Sequence, residues 1–155
     1  PQLQRIEFSL SDVTEEIVQS FQGLAKAQGK TLRMDIQPLL SFTGDEKAIR
    51  QLVSILLDNA VKYSPEGGTV SVRLEKEGRF LKLAVSNTTA QPMEQDKLHL
   101  LFDRFYRLDQ SRSSSTGGYG LGMSIAQSIV AVHRGKIRAD SPAENVLSVL
   151  VTLPR

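Results

Sequence analysis

Between residues 45 and 63 the apolar side chains Ile49, Leu52, Val53, Leu56, Leu57 and Ala60 recur at helical spacing, one buried stripe on a helix about five turns long. Ser64-Pro65-Glu66-Gly67-Gly68 stops that helix with turn residues, and the period then switches to two. Residues 69–76 and 80–86 alternate apolar and polar side chains around Gly78, which predicts a β-hairpin. A helix with one apolar face, followed directly by half-buried strands, has to cover a sheet.

The rest of the chain extends the same scheme. Residues 7–10 form a short strand candidate. Asp12 is a candidate N-cap, with Glu15 completing a capping box. The helix after it presents Val13, Ile17, Val18, Phe21, Leu24 and Ala25 and stops near Gly29. A strand is expected over 32–36 and a connection over 38–44. Residues 94–102 are a short helix candidate. A third helix is expected from Leu121 to about His133 with Gly135 as its C′ residue, and the last strands over 136–140 and 146–153. Blocks of helix and strand with hairpin-like pairs predict an α+β fold, a two-layer sandwich with a mixed β-sheet and helices packed on one face. The chain of 155 residues suits one domain spanning 1–155.

Composition narrows the function. A net charge of +2 gives no electrostatic reason to expect a nucleic-acid partner. The absence of cysteine excludes disulfides and thiolate metal sites. No apolar run reaches the length of a membrane span and Pro1 to Gln4 carry no leader pattern, so the fragment itself is expected to be soluble.

Three features carry chemistry. Asn59, Lys62 and Tyr63 share one edge near the end of the second helix. An amide oxygen can ligate Mg²⁺ and an ammonium can meet phosphate, although an Asn and a Lys alone also describe a solvated helix edge. Gly117-Gly118-Tyr119-Gly120-Leu121-Gly122 stands directly before a helix, where glycines allow close backbone approach and unpaired N–H groups suit phosphate; a plain hinge reads the same way. Leu101-Phe102-Asp103-Arg104-Phe105-Tyr106-Arg107 joins apolar anchors to arginines, with Arg112 following. The Ser/Gly run over 111–118 buries little and predicts a mobile loop.

Together and in this order the features are far more specific. Residues 57–64 resemble the N box of sensor histidine kinases, 101–107 their F box, and 118–122 their glycine-rich G2 box. His133-Arg134-Gly135-Lys136-Ile137 resembles the segment after it. The likeness covers essentially the whole chain. It implies the Bergerat ATP-binding fold shared with gyrase, Hsp90 and MutL, and ATP and Mg²⁺ as cofactors. It implies that Asn59 ligates Mg²⁺ and Lys62 contacts phosphate. Tyr63, Tyr106 and Arg107 would line the nucleotide, and Gly118, Gly120 and Gly122, with Leu121 among them, would cradle the phosphates under a lid over about 109–117. Asn59, Lys62 and Arg107 would be the catalytic group. It also implies transfer to a histidine on a separate dimerisation domain, relay to a response regulator, and a homodimeric, membrane-anchored parent of which this fragment is a cytoplasmic domain, monomeric by itself.

Two departures matter. The family usually has Asp-x-Gly-x-Gly after the second hairpin strand. Here Asn87 stands for the Asp, and Thr88 and Thr89 follow without the glycines. Asn87 can still accept through its amide oxygen. A neutral acceptor forfeits ~1 kcal/mol, about five-fold in affinity. β-Branched residues resist positive φ, so the loop takes another shape. Four residues before Asn59, where the related ATPases carry a glutamate base and the histidine kinases usually an Asn, stands Ile55, which differs from both. Without a proton acceptor, hydrolysis in cis is expected to be slow, which favours the kinase over an ATPase of the same fold. A nucleotide-free regulatory module is the other alternative, supported by the altered loop. No phosphoacceptor motif is present, and His99 and His133 are expected to be structural.

Overall fold

The computed structural model describes residues 4–103 and 122–155. In chain order the elements are β1 (Ile6–Ser9), α1 (Leu10–Ala27), β2 (Thr31–Ile36), β3 (Ser41–Gly44), α2 (Glu46–Tyr63), β4 (Thr69–Glu77) and β5 (Phe80–Thr88). A 3-10 helix (Gln95–Phe102), α3 (Gly122–Val132), β6 (Lys136–Asp140) and β7 (Val146–Pro154) complete the described fold. The main sheet has five strands in the order β2-β4-β5-β7-β6. Only β2 and β4 pair in parallel, so the sheet is mixed.

The alternation in the strands decides which face is covered. Val70, Val72 and Leu74 of β4, Leu81, Leu83 and Val85 of β5, and Val149, Val151 and Leu153 of β7 are all buried in one cluster with the helix stripes. In register, Val72 faces Val85, and Val85 faces Val149, so the apolar rows align across the sheet. From α2 the cluster takes Ile49, Leu52, Val53, Leu56, Leu57, Ala60 and Val61, and from α3 Met123, Ala126, Ile129 and Val130. Asn87 has the parity of Leu83 and Val85 and is likewise buried.

Several local expectations change. α1 begins at Leu10, and its N-cap is Ser9 rather than Asp12: the Asp12 N–H donates to Ser9 Oγ at 3.1 Å. The Leu40 carbonyl decides the register, since it accepts from the N–H groups of both Leu10 and Ser11 and so satisfies the helix start. Residues 41–44 are a strand, not part of a connection: β3 pairs antiparallel with β1, and Phe42 is buried against the core. Leu24 is exposed, at the edge of the α1 stripe, where Ala25 takes the buried place. At the end of α3 the left-handed residue is Arg134 (φ 61°), and Gly135 follows it, donating to the Val130 carbonyl at 2.9 Å. Gly135 is required for room instead: a Cβ there would sit 2.5 Å from the Thr152 carbonyl oxygen.

Because Ser9 supplies the α1 cap, Ser9→Ala is expected to cost about 1 kcal/mol, read as a lower urea midpoint, whereas Asp12→Ala should cost less.

Candidate functional site

The last turns of α2 come to the end of the sheet where β4 begins and β5 ends. Asn59 and Tyr63 are half-buried there. Among the described residues, no partner takes up the Asn59 amide. Lys62 is exposed, and its ammonium pairs with Asp58 at 2.9 Å, one turn back on the same helix. That i,i+4 spacing was readable from the sequence; Asp58 was not singled out as its partner.

Asn87 lies at the end of β5, 3% exposed, in register with Val70 and Leu147. Its Nδ2 donates to the Thr88 carbonyl at 2.9 Å. With the nitrogen committed to the backbone, the amide oxygen is the atom left to accept from a ligand. The residues after it follow no glycine geometry: neither Thr88 nor Thr89 has positive φ. Their hydroxyls tie the loop instead. Thr88 Oγ1 accepts from the Thr69 N–H at 3.1 Å, and Thr89 Oγ1 donates to the Gln91 carbonyl at 2.6 Å. The Thr89 N–H donates to the Asn145 carbonyl at 2.8 Å, and Asn145 itself takes the left-handed conformation (φ 59°).

The start of α3 closes the other side. A Cβ on Gly122 would meet Ile55 Cγ2 at 3.4 Å, so the end of the glycine-rich segment packs on α2 one turn before Asn59. Ile55 is packed against the core. Below, Leu98 and Leu101 of the 3-10 helix are buried with Leu147, and Phe102 joins this cluster to the main core. Tyr106, Arg107, Gly118, Gly120, Leu121 and the 109–117 segment lie outside the described residues, as do Arg104 and Arg112.

The two histidines separate. His99 is exposed beside Asp96 and Asp103 along a groove bounded by Gln127 and Arg138. His133 is buried, at the opposite end of α2 from Asn59, with both ring nitrogens used inside the fold.

Among the described residues, no group of three or more His, Cys, Asp or Glu is arranged to hold a metal. A magnesium ion here would take the Asn59 oxygen and complete its shell with water and phosphate oxygens. That donor set suits an ion that dehydrates reluctantly, and an amide without a partner among the described residues fits it.

Sequence reasoning passed over Lys30. Its ammonium donates to the Val61 carbonyl in the last turn of α2 at 2.5 Å, and burial lowers its pKa from 10.5. The signal was Pro65, four residues after Val61, which has no N–H to offer that carbonyl. The identity of the substitute donor depends on a contact across 31 residues of sequence.

Comparison with known proteins places this geometry. Residues 44–155 match the family described as histidine kinase-, DNA gyrase B-, and HSP90-like ATPase. The sensor histidine kinase CusS of Escherichia coli (strain K12) is 35% identical over 146 residues, covering 94% of this chain and 30% of CusS. The chain thus spans about 30% of the length of the curated relatives it matches first. Among solved structures, the mycobacterial sensor histidine kinase MprB superposes with a TM-score of 0.82 at 26% identity over 97% of both chains. The histidine kinase ThkA, solved in complex with the response regulator TrrA, gives 0.81 at 21% identity over 98% of this chain and 42% of that one. The sheet with helices on one face is the Bergerat fold of histidine kinase catalytic domains. The chain belongs to the histidine kinase-, DNA gyrase B- and HSP90-like ATPase family.

Proposed function

We propose that this chain is the ATP-binding catalytic domain of a two-component sensor histidine kinase and donates the γ-phosphoryl group of Mg-ATP to a histidine on a separate dimerisation domain. The observation that carries the reading is the half-buried Asn59 amide on α2, without a partner among the described residues, at the same end of the sheet as the buried Asn87, with Gly122 packed one turn below. Relatives that are sensor histidine kinases and an ATPase family model support it.

In this reading Asn59 holds Mg²⁺, which when bound neutralises phosphate charge. Lys62 leaves Asp58 or shares it to meet a phosphate oxygen, and Arg107 offsets charge that develops during transfer. Tyr63 and Tyr106 line the nucleotide, and the backbone at Gly118, Gly120, Leu121 and Gly122 approaches the phosphates. Asn87 Oδ1 accepts from the adenine amino group, its orientation supported by the Nδ2 bond to Thr88. Ile55 offers no proton acceptor to a water molecule, so the phosphoryl group waits for a histidine acceptor. Partners are the dimerisation domain of the same protein and a response regulator. The parent is a homodimer anchored in the membrane, with this domain cytoplasmic; among the described residues no helix is long and apolar enough to cross a membrane.

Calorimetric titration with ADP and a non-hydrolysable ATP analogue, with and without Mg²⁺, tests the reading. Magnesium-dependent binding at micromolar to sub-millimolar concentrations is expected. No binding at millimolar nucleotide would turn the assignment to a nucleotide-free regulatory module. Asn87→Ala removes the acceptor and is expected to weaken adenine nucleotides about five-fold, with no such loss for a guanine nucleotide, whose ring carries a carbonyl in place of the amino group.

A further inference from the structure

The exit from α2 has an unusual hydrogen-bond economy. The Ala60 carbonyl accepts the Ser64 N–H at 3.1 Å, as a helix end should. The next carbonyl, that of Val61, has no such donor, because Ser64 is already extended (ψ 133°) and residue 65 is proline. Lys30 supplies the missing group: its ammonium donates to the Val61 carbonyl and also to Gln28 Oε1 at 3.1 Å.

Lys30 is itself held. Its N–H closes the end of α1 on the Ala25 carbonyl at 2.9 Å, beside Gly29 in the left-handed conformation (φ 70°). On either side of it the Gly67 N–H donates to the Gly29 carbonyl at 2.8 Å, and the Thr31 N–H donates to the Gly68 carbonyl at 3.0 Å. The approach is close at Gly29, where a Cβ would lie 3.0 Å from Cγ of the exposed Glu66 side chain. The turn after α1 therefore grips the turn after α2 through backbone and side chain together. A positive charge at that point also meets the negative end of the α2 dipole.

Val61 sits in the same last turn as Asn59, Lys62 and Tyr63. We propose that Lys30 is a positioning residue for the nucleotide site: its ammonium completes the final turn of α2 in place of the N–H that Pro65 lacks, and so fixes the direction in which Asn59, Lys62 and Tyr63 face one ligand. This rests on the nucleotide-binding reading above. Lys30 touches no nucleotide atom in this account and acts only through the helix end.

The test compares the parental protein with Lys30→Met, Lys30→Gln and Lys30→Arg. Arg50→Ala serves as a control, because it removes the ion pairs to Glu16 and Glu46 at the other end of α2. Affinity for the ATP analogue is measured by calorimetry well below each melting temperature, alongside amide exchange at Lys62 and Tyr63. Lys30→Met is expected to weaken binding about five-fold, the loss of part of a charge-assisted hydrogen bond, and to speed exchange at both amides. Lys30→Gln, which keeps a donor and gives up the charge, should fall between, and Lys30→Arg should restore affinity to within about two-fold. Arg50→Ala should melt earlier with affinity unchanged. Parental affinity in Lys30→Met, or in Lys30→Gln should Lys30→Met not fold, overturns the positioning role alone. A loss no larger than that of Arg50→Ala does the same. A parental protein that binds no nucleotide overturns the functional reading and this role with it.

Discussion

Replacing His133 by alanine is expected to lower folding stability by about 3–4 kcal/mol, read from urea unfolding. The ring is 2% exposed and satisfied on both nitrogens: Nδ1 donates to the Ile129 carbonyl at 2.8 Å, and Nε2 accepts the Asp45 N–H at 3.1 Å. It packs at 5.7 Å against Phe42, which in turn meets Phe8 edge-on at 6.1 Å. One side chain thus joins the end of α3, the β1–β3 pair and Asp45, the N-cap of α2. Gly44 is shaped around it, since a Cβ there would lie 2.8 Å from His133 Cδ2. Alanine leaves a cavity and strips the half-buried Asp45 N–H of its acceptor. Phenylalanine fills the volume but restores neither bond, so His133→Phe should recover only part of the loss, to about 1–2 kcal/mol. The site lies at the other end of α2, so the folded fraction of either variant should bind nucleotide with parental affinity. A loss below about 1 kcal/mol for His133→Ala would mean that the ring is not the tie the contacts describe.

The same contacts explain where sequence reasoning succeeded and stopped. The stripe on α2 and the alternation in β4 and β5 are long and regular, and their bounds were legible to within a residue or two. β3 was not, because it is four residues long and only its pairing with β1, some thirty residues earlier, makes it a strand. Ser9 and Asp12 both look like caps; the Leu40 carbonyl, a tertiary partner, chose Ser9. Gly135 is the C′ candidate in the sequence, where glycine usually takes the left-handed conformation, yet Arg134 takes it and the glycine clears the Thr152 carbonyl. At the site, the order of motifs exposed Asn59, Lys62 and Tyr63 as a group. The commitment of Asn87 Nδ2 to Thr88 and the reach of Lys30 to Val61 are matters of orientation and distance that no residue pattern encodes.

Asn59→Ala should separate function from stability in the opposite sense to His133. The Asn59 side chain is half-buried without a partner among the described residues, so the fold gains little from it. Alanine is also the better helix former, and stability is expected to hold or rise by up to about 0.5 kcal/mol. A half-exposed amide at a helix end with no protein partner among the described residues is open to water, and so to a ligand. If that partner is Mg²⁺ on a nucleotide, removing the amide oxygen should weaken Mg²⁺ in the complex on the order of 100-fold, since even residues behind a metal ligand are worth 10- to 100-fold. Titration of the ATP analogue should then give the same affinity with and without Mg²⁺, close to the magnesium-free affinity of the parent. Reunited with its phosphoacceptor domain, the variant should show phosphotransfer reduced by a comparable factor. Magnesium-dependent binding at parental strength in Asn59→Ala would remove Asn59 from the site. Loss of binding together with loss of fold would instead show that the amide serves the helix, and the comparison with His133→Ala at matched stability distinguishes the two.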